Sequence, residues 1–205
     1  MAATTRVMRV DARRNYDRLV DAASSAFFER GVGVPLEEVA RRAGVGIGTL
    51  YRHFPTRDAI IEAVYRHEVE RLCDSAETLL HERSAGDALE LWLHEFIDYV
   101  AAKRGMAEAL KSMVGADSEL FADTKLRISD AIERLVAAGV AAGTIRDDVS
   151  PADLLWAVSG ICVATDRDDW REYAERLVAL LMDGMRYGAP STSEPVRRRR
   201  PARSR

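Results

Sequence analysis

Between Gly31 and Ala59 the chain reads GVGVPLEEVARRAGVGIGTLYRHFPTRDA, a run that few folds can accommodate. Val39 and Ala40 precede Gly44, Val45 follows it, and Leu50 comes five residues after Val45, so apolar side chains fall on the inner faces of two short helices meeting at a glycine turn. Ala40 is small enough for the helices to approach closely. Gly44 can take the left-handed backbone that a turn of three or four residues demands. Leu50 anchors the second helix, and Thr56, after Pro55, is placed to cap a third.

That arrangement leaves Gly46, Ile47, Gly48, Thr49, Tyr51, Arg52 and His53 on or near the outer surface of the second helix, within reach of base edges and phosphates in a DNA major groove. The longer run GTLYRHFPTRDA resembles the signature of the tetracycline-repressor-like (TetR) family of bacterial transcriptional regulators, in which a Tyr, a basic or His pair and a Phe precede the next helix. The motif lies in the first third of the chain; the remainder resembles the family in helical pattern and length. The resemblance implies that Thr49, Tyr51, Arg52 and His53 face DNA, with Tyr51 and His53 on phosphate and Arg52 reaching a base edge. It implies that Arg57 meets a phosphate near a helix N-terminus, while Arg13 and Arg14, read as the start of the first helix, clamp the backbone nearby.

Two positions depart from the family pattern. Gly46 and Ile47 stand where many relatives have Ser or Thr followed by a basic residue, removing a hydroxyl and a cation from the phosphate grip. Ile47 can instead touch a thymine methyl. Pro35 replaces a helix-capping Thr; it suits a first helical turn but has no hydroxyl to offer.

Charge is distributed unevenly. Residues 1–60 carry ten Arg against seven acids, net +3; residues 61–190 carry fourteen basic and twenty-five acidic side chains, net -11; residues 191–205 carry six Arg against one Glu, net +5. An acidic body is repelled by DNA while both ends are attracted to it, which predicts one DNA-facing end. The Arg-rich end from Pro190, PSTSEPVRRRRPARSR, has almost no apolar residues and is expected to be disordered, adding salt-sensitive attraction to DNA or merely solubility.

Helix follows helix along the rest of the chain. Tyr16, Leu19, Val20, Ala23 and Phe27 repeat at helical spacing, closed by Gly31. A long helix runs from Thr56 to about Glu82, with Ile60, Ile61, Val64, Val69, Leu72 and Leu79 on its apolar side. Further helices are expected at Ala85 to Lys103, Met106 to Val114, Ser118 to Ala142, Pro151 to Thr165 and Trp170 to Tyr187. The expected fold is all-α: a three-helix helix-turn-helix head over residues 1–58, a helical effector-binding and dimerisation body over 59–189, and a tail over 190–205.

The body offers Trp92, Phe96, Tyr99, Met106, Leu110, Met113, Phe121 and Trp156 as walls for a largely apolar small-molecule pocket; each taken alone also suits plain core packing. In the resembled family the last two helices pack against a two-fold mate as a four-helix bundle. Leu154, Leu155, Val158, Ile161 and Cys162, with Tyr173, Leu177, Leu180, Leu181 and Met185, supply apolar faces for such a homodimer, although periodicity alone fits an internal core equally well.

Enzyme signatures are missing. His67, Glu68 and Glu70 spell HEVE, which lacks the second His of a zinc-binding helix, and the four His do not cluster. Asp166, Asp168 and Asp169 lack EF-hand spacing. No GxSxG, phosphate loop or dinucleotide fingerprint occurs, so neither metal nor cofactor is expected. Cys73 and Cys162 suit a reduced cytoplasm. The stretch Leu154 to Ala164 is too short to span a bilayer, and MAATTRVMRV has no apolar run of a secretory signal. The reading is a cytoplasmic, dimeric regulator of a two-fold DNA operator, released by an unidentified apolar effector. A nucleoid-type DNA binder without effector, or a helical ligand-binding protein whose head has degenerated, remain open.

Overall fold

A computed structural model describes residues 2–113, 119–163 and 169–186, with side chains described from residue 11 and not for Met113 or Val163. Eight helices account for nearly all of these residues, and no strand occurs among them: α1 (Ala2–Arg30), α2 (Leu36–Ala43), α3 (Ile47–His53), α4 (Arg57–Glu82), α5 (Ala85–Met113), α6 (Glu119–Ala141), α7 (Pro151–Val163) and α8 (Trp170–Arg186). The Arg-rich tail and Asp166 and Asp168 lie outside the described residues.

The α2–α3 turn is set by local chemistry. Gly44 sits at φ 66, and the amides of Gly44 and Val45 turn back to the carbonyls of Arg41 and Ala40 at 3.1 and 3.0 Å, satisfying the end of α2. Arg18 of α1 lays its guanidinium where a Cβ on Gly44 would stand, but that flexible tip can move aside, so the left-handed backbone is what favours glycine there. Thr56 caps α4, its Oγ1 accepting the Ala59 amide at 3.1 Å. Pro35 occupies the N-cap position of α2, extended at ψ 134, rather than the first helical turn, and Gly46 starts α3 without a side-chain cap.

Helix α2 is also held from outside. Arg42 pairs with Glu29 at 2.8 Å and Glu38 at 3.1 Å, and Arg30 pairs with Glu38, tying α2 to the end of α1. The hydrogen bond from Arg42 holds the Glu29 carboxyl below its usual range, and Arg30, then Arg42, does the same for Glu38.

One apolar core runs from Leu19 in α1 to Met185 in α8. Helix α5 is its hub, packing on α1, α4, α6 and α8. Trp92 is fully buried there and donates its indole N–H to the Leu72 carbonyl of α4 at 2.8 Å.

Two expected boundaries are corrected. Helix α1 starts at Ala2, so Arg13 and Arg14 lie well inside it rather than at its start. Helix α5 runs unbroken through Arg104 and Gly105, where a break was expected. A Cβ on Gly105 would meet the Phe27 carbonyl at 3.6 Å; the glycine lies against the end of α1, and packing overrides its poor helix propensity of about 1 kcal/mol.

Helix α1 is joined to the body by polar contacts as well. Glu68, almost wholly buried, accepts from Ser24 Oγ at 2.5 Å and from Arg71 at 2.7 Å. Asp21 lies 3.4 Å from His67 Nε2. Arg171 of α8 pairs with Asp98 and sits over the Phe28 ring of α1. The HEVE residues thus knit α1 to α4, and among the described residues no group of His, Cys, Asp and Glu is disposed to hold a metal ion.

Candidate nucleic-acid interface and effector cavity

Helix α3 is only seven residues long, so its two faces are easily told apart. Leu50 is fully buried, as is Phe54 just beyond, where it meets the Tyr16 ring of α1 with centroids 5.0 Å apart. Ile47, Gly48, Tyr51 and Arg52 are exposed, and Thr49 and His53 half-buried. Tyr16 also packs edge-on against the His53 ring at 6.1 Å, fixing that imidazole at the rim of the exposed face. Gly46 and Gly48 have open space above them, and Ile47 is 37% exposed, giving the start of α3 a bare surface that a groove wall can approach.

The flanking arginines differ. Arg14 is exposed, while Arg13 pairs with Asp17 one turn on, at 3.2 Å. Arg57 is half-buried and donates to the carbonyls of Val32 and Val34, at 2.5 and 2.8 Å. That guanidinium braces the α1–α2 loop against the start of α4, a task the sequence did not announce.

A cavity of about 490 Å³ opens among α4, α5, α6 and α7. Phe96, Tyr99, Leu110 and Phe121 line it, as expected from their type. Three of the other four expected wall residues do not. Trp92 and Met106 are closed off in the core, Trp156 points out with 73% of its surface exposed, and the Met113 side chain lies outside the described residues.

Residues not foreseen also line it: Tyr65 from α4, Lys103, Ala107 and Lys111 from α5, Thr124, Lys125 and Ile128 from α6, and Leu155 and Ser159 from α7. Tyr65 and Tyr99 oxygens stand 3.2 Å apart, so one hydroxyl donates to the other and one proton is left over. Burial pushes the Tyr99 phenol far above its ordinary range, keeping it neutral. Lys103 places its ammonium over the Phe121 ring, 5.6 Å from the centroid.

Helices α7 and α8 divide the expected dimer residues into two sets. Leu154, Val158, Cys162 and Met185 turn into the chain's own core, a correction to their reading as an outward face, and Leu155 turns to the cavity. Tyr173 and Leu180 are exposed, at 40% and 66%, with Ile161, Leu177 and Leu181 half-buried beside them. Trp156 of α7 is exposed as well. The Cys162 thiol, pushed up to about 11 by burial, and the buried Cys73 are not poised as nucleophiles. No helix among the described residues is long and apolar enough to cross a membrane.

Residues 19–64 match the family model for bacterial regulatory proteins of the tetR family, and residues 84–187 match that for the C-terminal domain of SbtR-like transcriptional regulators. The crystal structure of the TetR transcriptional regulator SCO0520 from Streptomyces coelicolor superposes with a TM-score of 0.76 at 47% identity, covering 83% of this chain and 97% of that one. A TetR regulatory protein from Mycobacterium vanbaalenii gives 0.70 at 36% identity, over 87% and 99%. An HTH-type transcriptional regulator of Staphylococcus aureus (strain USA300) is 34% identical over 64 residues, 31% of this chain; the match spans 35% of that relative's length.

Proposed function

The chain belongs to the TetR family of bacterial transcriptional regulators, and on that premise we propose that it is a homodimeric repressor whose hold on a two-fold DNA operator is released by a small molecule bound in the cavity. The observation that carries this reading is that one helix serves both sites. Tyr65 in the cavity wall and Arg57 beside the reading helix both belong to α4, eight residues and so about 12 Å apart along a helix of 1.5 Å rise. A ligand pressing on Tyr65 displaces the element that carries α3.

On this reading α3 enters the major groove by its Gly46–Gly48 end. Ile47 meets apolar base edges, Thr49, Tyr51 and His53 meet phosphate and Arg52 reaches a base, with Arg13 and Arg14 along the backbone. Trp156, Tyr173 and Leu180 meet the same face of a second copy, so that two heads share one duplex. Ligand lowers operator affinity only by as much as it binds the released state better than the bound one.

The test is footprinting of the full-length protein on DNA flanking its own gene, against nonspecific competitor at fixed salt, with Arg52→Ala as control. A two-fold footprint lost in the variant supports the reading. Weak binding erased by competitor there and genome-wide leaves the nucleoid-type or degenerated-head readings instead.

A further inference from the structure

The chain has twenty-seven arginines and only three lysines, Lys103, Lys111 and Lys125. All three line the cavity. They come from two helices, α5 and α6, so the grouping is made by the fold and not by one basic run. Among the described residues no Asp or Glu lines the cavity, and none of the three ammonium groups forms an ion pair with a carboxylate there. Elsewhere in the body acids outnumber bases, and its arginines are largely paired: Arg66 with Glu62, Arg71 with Glu68, Arg171 with Asp98, Arg176 with Glu172 and Arg186 with Glu90. Three uncompensated cations around one apolar cavity, in an acidic body, therefore stand out against their own surroundings.

We propose that the cavity takes an amphiphilic anion: an apolar body among Tyr65, Phe96, Tyr99, Leu110, Phe121 and Ile128, and a carboxylate or phosphate head met by Lys103, Lys111 and Lys125. The inference rests on the effector reading above and changes its chemistry, since the aromatic residues alone point to a neutral apolar ligand. Lysine suits this task. Its ammonium is a compact charge on a flexible stem, with three donors and no fixed fork, so three of them can close on an anion whose exact position varies with the body it carries. The volume limits the guest as well. At about 30 Å³ of liquid volume per water-sized unit, a cavity of about 490 Å³ matches a guest of on the order of sixteen such units.

The test compares matched probes on the full-length protein by calorimetry, below micellar concentration: dodecanoate, dodecyl phosphate, dodecanol and dodecylammonium, and the rigid pair 2-naphthoate and 2-naphthol. The anions are expected to bind about tenfold or more tighter than the neutral partners, the gain expected of a few partly exposed ion pairs. The ammonium probe is expected to bind worst. In a Lys103→Gln, Lys111→Gln, Lys125→Gln variant, shown to unfold at the wild-type temperature, that preference is lost while the neutral probes keep their affinity. Carboxylate against phosphate separates the two kinds of head group.

No anion preference in either set, absence of all binding included, overturns the proposal, and so does a preference that survives in the triple variant. Operator release is read separately. Anion binding that leaves operator affinity unchanged sinks the release mechanism and leaves the ligand class standing; release by the neutral probes alone does the reverse.

Discussion

The reading head and the cavity both present cations to a partner, but they use different ones. Residues 1–60 hold ten arginines and no lysine; among the described residues the cavity is lined by the three lysines and by no arginine. In the head several guanidinium groups are already committed: Arg30 and Arg42 to Glu38 and Glu29, Arg13 to Asp17 and Arg57 to two carbonyls. Arg52 and Arg14 stay exposed on the face proposed for DNA. A planar fork is suited to a fixed geometry, whether an internal clamp or a guanine edge, whereas an ammonium accepts an anion from many directions. The difference teaches that the head is built rigid around one rigid target and the cavity is built adaptable.

The comparison can be broken at its foundation first. Leu50→Ala removes a fully buried side chain from the head and is expected to cost about 2–5 kcal/mol. Because the core is continuous from Leu19 to Met185, calorimetry should show a single transition moving down in temperature. A head that melts separately, with the body unmoved, would show that the two regions are independent.

Arg52→Ala comes next, lowering operator affinity by about 1–3 kcal/mol, roughly five- to 150-fold, with no change in the binding of a cavity probe measured by calorimetry. Gly44→Ala follows, at about 1–2 kcal/mol for the left-handed backbone alone. It must also displace Arg18, and chemical denaturation would reveal the loss; an unchanged midpoint would mean the turn is not strained as described.

The smallest effect depends on pH. Glu29 and Glu38 are held below their ordinary 4.5 by Arg42 and Arg30. A depressed acid contributes stability that is present above its unfolded value and lost as pH falls through its folded one. The clamp on α2 should therefore be intact at neutral pH and fade below about pH 4.5. Glu38→Gln should flatten that part of the stability profile, and an identical slope in the variant would place the acid sensitivity elsewhere.

What could be read from the sequence follows the range of the forces involved. The α2–α3 turn is local: Gly44, Ala40 and Leu50 each act within a few residues, so spacing alone located them. The Thr56 cap was legible for the same reason. The cavity is not local. Phe96, Tyr99, Lys103, Ala107 and Leu110 follow one stripe of α5 at intervals of three or four residues, and they line it together. Trp92 continues that stripe one turn back, where α4 covers it and takes its N–H. Met106 sits one residue off the stripe, about 100° around the helix, and enters the core. Trp156, one step from the cavity-lining Leu155, swings outward by the same angle. Residue type named Phe96, Tyr99, Leu110 and Phe121 but missed nine other lining residues, and only helix phase and neighbour packing could sort them. The confinement of all three lysines to residues 103–125 was visible in the sequence, and it was the one signal of the cavity's charge.

The division of labour between the two sets of cations is tested most directly by titrating one operator duplex, selected from random DNA by the wild-type protein, with wild type, Arg52→Ala and the Lys103→Gln, Lys111→Gln, Lys125→Gln variant at one salt concentration. The account predicts that Arg52→Ala loses at least about fivefold in affinity while the triple variant binds as wild type does. A triple variant that loses operator binding as severely as Arg52→Ala would contradict it, because the lysines would then belong to the DNA interface and not to the cavity.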